Sequence, residues 1–174
     1  MNAEQLLETL SIRSDALRTW LQQQAPALRD FSRRLLQIVQ QLRKNIEVRD
    51  TSFADDFNTY VKTLRETLDK TEPSWTELRA QVRQTPDKNW TGDLALAAKG
   101  LNSRAKALSG ACDEFSTEYD IFVKQYKNFT AAKLNVWLLT SCQTDINNLS
   151  GKVVFLAREI ARKTEQNREP SHER

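Results

Sequence analysis

One histidine, two cysteines, four glycines and four prolines are few for a chain of 174 residues, and each scarcity excludes something. The lone histidine, His172, stands near the C-terminus. Di-metal bundles need a Glu-x-x-His pair from each of two helices, and a haem bundle normally needs an axial histidine, so neither cofactor is expected. Ser-His and Cys-His catalysis fall with them. The cysteines, Cys112 and Cys142, have no CxxC spacing, and two thiols with a distant histidine make zinc improbable. There is no GxxxxGK[ST] loop and no GxGxxG, the two common phosphate cradles. The sequence therefore predicts no enzyme, no metal and no cofactor.

Other absences bear on surroundings. No apolar run approaches the roughly 18 residues of a spanning helix; the richest, NVWLLTSC and VVFLA, are short. The start, MNAEQLLETL, carries Glu4 and has no continuous apolar stretch of the secretory kind, which predicts a cytoplasmic protein. Net charge is +3 and dispersed: the first fifty residues hold 8 basic and 6 acidic side chains, residues 129–174 hold 7 and 5. A nucleic-acid binder concentrates its charge, so no specific nucleic-acid partner is expected.

Few glycines and prolines also mean few turns and long elements. The stretch CDEFSTEYDIFVKQYKNF places Cys112, Phe115, Tyr119, Phe122, Tyr126 and Phe129 in 3-4 alternation, continuing a frame that begins at Leu94. This is the a/d stripe of one helix, expected from about Thr91 to Asn128. Acids surround the aromatic row, so it reads as a packing seam rather than a base-stacking box. After a frame break at 127–133 the stripe resumes with Leu139, Cys142, Ile146, Leu149, Val153, Leu156 and Ile160. A hairpin bending near Phe129 is expected, with one continuous kinked helix as the alternative. The first quarter runs Leu6, Leu10, Leu17, Leu21, Leu28, Phe31, Leu35, Ile38, Leu42, with Pro26 inside it. That is one kinked helix over about 3–48, or two helices meeting at Ala25. In the second quarter Phe53, Phe57, Tyr60, Leu64 and Leu68 precede Pro73, predicting a helix from 52 to about 71 and a second piece over 74–84. The segment 85–93 reads as a loop, and 164–174 as a polar, disordered tail.

The predicted fold is all-α: an elongated antiparallel bundle of four long amphipathic helices, partly kinked or broken, forming a single domain over 1–163. Without catalytic equipment such a bundle works by presenting surfaces. The expected function is a protein-interaction or scaffolding module, by coiled-coil-like faces or as an oligomer. The alternative is a bundle that binds or inserts into anionic lipid, and the third reading is an enzyme without a recognisable motif. The tryptophans Trp90, in the loop, Trp20 and Trp137, with the basic flank Arg29, Arg33 and Arg34, are the candidate contact residues. Ser14, Gln24 and Asn45 are polar members of the first stripe and candidates for setting register or partner choice. Cys112 and Cys142 fall at nearby levels of the hairpin and form a candidate thiol pair. Gly100 and Gly110 are expected to permit close helix packing.

Overall fold

The first helix begins at a reciprocal cap: the Gln5 N–H donates to Asn2 Oδ1 at 2.8 Å, and the Asn2 N–H to Gln5 Oε1 at 3.0 Å. The computed structural model describes residues 1–129 and 133–168. Among these are four long helices: α1 (Ala3–Arg43), α2 (Phe53–Gln84), α3 (Ala95–Tyr126) and α4 (Val136–Arg168). Two 3-10 turns, Asp87–Asn89 and Gly92–Leu94, lie between α2 and α3. At about 1.5 Å per residue the 41 residues of α1 span roughly 60 Å.

Neither proline breaks its helix. Pro26 lies inside α1 and Pro73 inside α2, both on exposed positions, while the stripe beneath them stays buried. The expected division of the second quarter into two pieces is thus corrected: burial of Leu64, Leu68, Trp75, Leu78 and Val82 on one face holds α2 through the lost backbone bond. α1 stops at Arg43 rather than about 48. The Asn45 N–H donates to Leu42 O and the Ile46 N–H to Gln41 O, with Asn45 at φ 54°, a left-handed turn that closes the helix. Asn45 is therefore a helix terminator and exposed, not a seam residue.

Ion pairs and hydrogen bonds fix how the helices run. Arg104 meets Asp15 and Arg29 meets Glu118, both pairs 89 residues apart, so α1 and α3 lie side by side and parallel. Asn58 binds Asn135 and Arg65 binds Ser141, which makes α2 and α4 parallel too. Cys112 reaches Asn147 and Tyr119 reaches Thr140, setting α3 against α4 antiparallel. Arg34 meets Asp50, and the Tyr60 hydroxyl donates to Gln24 O, setting α1 against α2 antiparallel. Going round the bundle the order is α1, α2, α4, α3, with α1 most closely applied to α3. α2 and α3, consecutive in the chain, sit on a diagonal, and residues 85–94 cross the end of the bundle between them.

The aromatic row is a seam. Phe115 and Phe122 are fully buried, with Tyr119, Tyr126 and Phe129 packed against the same core. Phe122 stacks on Phe57 at 4.8 Å between ring centroids, and Phe31 meets Phe53, Phe57 and Tyr60. The glycines do not act as expected. A methyl group built on Gly100, Gly110 or Gly151 meets no atom within 4 Å, so none of them is there for close packing inside the molecule.

The segment from 164 is not a loose tail at its start. α4 continues to Arg168, Thr164 is buried, and Asn167 Nδ2 donates to Asp87 O and Trp90 O, each at 2.7 Å. Residues 169–174, with His172, lie outside the described residues.

Candidate functional site

The residues singled out from sequence separate into several environments. Trp90, expected to be exposed, is 0% exposed. It is the plug of the crossing segment, folded under the bundle end by the two 3-10 turns and held there through Asn167. Trp137 is 77% exposed and Trp20 half-buried. The three do not come together: Trp90 lies at the end where α1 begins, Trp137 at the opposite end.

The basic flank of α1 is largely spent inside the molecule. Arg29 pairs with the buried Glu118 at 2.8 Å. Arg34 makes two bonds to Asp50, at 2.7 and 2.9 Å, and one to Asp56 at 2.9 Å, with its guanidinium over the rings of Phe31 and Phe53. The Arg34 bonds hold the Asp50 carboxyl below the usual carboxylate range. Arg34 thus fastens the α1–α2 connection and is not a free surface cation. Arg33 is exposed beside Asp30, at 3.4 Å.

Of the polar stripe members, Ser14 is fully buried and its hydroxyl has no hydrogen-bond partner. Gln24 is half-buried and donates to Trp20 O within its own helix, while Ala25 takes the buried position beside it. Neither reaches another helix through a side-chain bond. The cysteines are both buried and both free. Cys112 Sγ donates to Asn147 Oδ1 at 3.0 Å, about one and a half helical turns along α4 from Cys142. Burial pushes the Cys112 thiol up, and the Cys142 thiol to about 11.

What the sequence did not single out is the surface between α2 and α4. These helices run parallel and stand apart, leaving an open groove of about 540 Å³. Arg79 and Arg83, one turn apart on α2, face Lys152 and Phe155 of α4 across it. Phe155 is 61% exposed, and Gly151, one turn before it, leaves the helix backbone bare. Toward Trp75 and Leu149 the groove narrows to a recess of about 20 Å³ over an apolar floor. None of Arg79, Arg83 and Lys152 pairs with an acid among the described residues. Two acids line the groove: Glu159 on the open part, engaged by Lys163 at 3.5 Å, and Glu72 in the recess, on the same wall as Arg79.

The groove is an electropositive channel with an apolar bed and an exposed ring on its lip. Three cations without an ion pair, against Glu72 and the already engaged Glu159, leave the channel net positive and attract a complementary anionic surface. The signal for it was present in VVFLA, where Phe155 stands outside the stripe of Val153 and Leu156, and in the spacing of Arg79 and Arg83. Among the described residues no group of His, Cys, Asp and Glu is placed to hold a metal ion, and no helix is long and apolar enough to cross a membrane. Comparison with known proteins finds no match for this chain, whether among protein-family models, curated proteins or solved structures.

Proposed function

We propose that this protein is a non-enzymatic interaction module that receives an acidic, amphipathic helix of a protein partner in the groove between α2 and α4. The observation that carries this reading is the coincidence of unpaired Arg79, Arg83 and Lys152 with an apolar bed and the exposed Phe155. A helix laid into a groove offers an apolar stripe to the bed and flanking charges to the rim. From residue 72 to residue 83 the two pockets cover about 16 Å of α2, room for about three turns of a partner helix. Arginine and aromatic side chains are the residue types that dominate interface energetics. The lipid-surface alternative drew on the basic flank of α1, and the ion pairs of Arg29 and Arg34 weaken that support. Two buried free thiols agree with action in a reducing compartment such as the cytoplasm.

Selection from a displayed library of helical peptides tests this and needs no partner in hand. Enriched peptides are expected to be acidic and amphipathic, to bind more weakly as salt rises, and to lose about ten-fold or more in affinity for an Arg79→Glu/Arg83→Glu/Lys152→Glu variant. Enrichment of peptides without acidic residues, or equal binding to the variant, contradicts the proposal.

A further inference from the structure

A second groove, between α1 and α2, has a different chemistry. We propose that it binds a small aromatic anion, a carboxylate or sulfonate carried on one or two fused rings.

The groove is about 350 Å³ and lies on the far side of α2 from the one described above. α1 is more closely applied to α3 than to α2, and toward the opposite end Phe31 of α1 meets Tyr60 of α2 at 5.2 Å between ring centroids. The groove is walled by Trp20 of α1 and Trp75 of α2, with Leu17 beneath. Trp20, half-buried, is the indole open to a planar guest, while Trp75, 6% exposed, closes the groove from the core side. Arg13 and Lys70 stand on opposite rims, one from each helix. Neither is paired with an acid among the described residues, and no acid lines the groove. The Ser74 hydroxyl on the same wall is shut off from solvent and has no hydrogen-bond partner.

Each feature selects part of the ligand. The accessible indole of Trp20 favours a ring, through offset or edge contacts. Two unpaired cations on facing rims favour an anion; a carboxylate or sulfonate accepts from the guanidinium of Arg13 in a fork and from the ammonium of Lys70 as a point charge. Ligand pockets run from about 300 to 1,000 Å³, and a volume near the lower bound fits a ring system of small size rather than a peptide helix.

Titration of the protein with naphthoate, followed by tryptophan fluorescence, tests the assignment because two of the four tryptophans form the walls. Saturable quenching is expected. It should weaken about ten-fold or more for Arg13→Glu/Lys70→Glu, and when the neutral naphthalenemethanol replaces naphthoate. Far-UV circular dichroism checks the fold of the double variant, and the milder Arg13→Gln should move affinity in the same direction if that fold is disturbed. Four results overturn the proposal: no saturation at millimolar naphthoate, unchanged binding by the double variant, equal binding of the alcohol, or an equal loss on Arg79→Glu, which would place the ligand in the other groove.

Discussion

At the scale of single residues, burial has displaced chemistry from where sequence would look for it. Cys112 and Cys142 occupy stripe positions because a thiol packs as a small apolar group, and both are held neutral by desolvation. Neither is expected to react with a thiol reagent at neutral pH in the folded protein, and both should react on denaturation; labelling followed by mass measurement reads this directly. The raised Cys142 value also fixes a pH dependence. Its folded value of about 11 exceeds the unfolded reference of 9.0, so its contribution is intact below pH 9 and lost as pH rises through about 11. Tyr60, half-buried and also raised by desolvation, adds to the same alkaline loss. Urea midpoints should be level with respect to these groups below pH 9 and should fall above it.

At the scale of elements, the stripes were legible and their interruptions were not. Leu17, Leu21, Leu28 and Leu35 share one frame on both sides of Pro26, and that continuity outweighed the proline. The same logic at Pro73 was obscured by two successive steps of four, Tyr60 to Leu64 and Leu64 to Leu68, a slip of the stripe just before the proline that made a break look natural. Gly100, Gly110 and Gly151 were opaque for a different reason: a glycine that admits a neighbour and a glycine that faces open space look alike in sequence. Since an added methyl meets nothing at these sites, Gly→Ala at each should raise stability by about 1 kcal/mol through helix propensity alone, measured by chemical denaturation. Gly151 carries a further expectation. It lies in the α2–α4 groove, so a gain in stability should accompany a loss in affinity for the peptides selected on the wild-type surface, whereas Gly110→Ala should leave that affinity unchanged.

At the scale of the whole molecule, the helix count and the all-α class followed from the heptads, but the order round the bundle did not. A stripe states that a helix is packed, not against which neighbour. Short joints usually connect antiparallel neighbours, yet residues 85–94 cross a diagonal and put α3 directly beside α1, to which it runs parallel. The available signal was Trp90, a large apolar side chain in a polar segment, which makes sense when the segment itself covers the core. The grooves beside α2 follow from this topology and were not visible in any one helix. Because Thr164 is buried and Asn167 holds the crossing segment, removing residues 164–174 should not be silent. We expect a loss of about 2 to 4 kcal/mol with a red shift of tryptophan emission as Trp90 becomes wet. Unchanged denaturation would mean that the end of α4 does not secure the bundle.

The claim that the α2–α4 surface is the working face is tested most directly by site-specific photo-crosslinking in cells. A benzoylphenylalanine is placed at Phe155, and separately at Ile12 of α1, which has the same 61% exposure. A discrete protein adduct is expected from position 155, lost on Arg79→Glu/Arg83→Glu/Lys152→Glu, with an acidic amphipathic helix at the crosslinked site and no such adduct from position 12. No adduct from position 155, or the same adducts from both positions, would contradict the account.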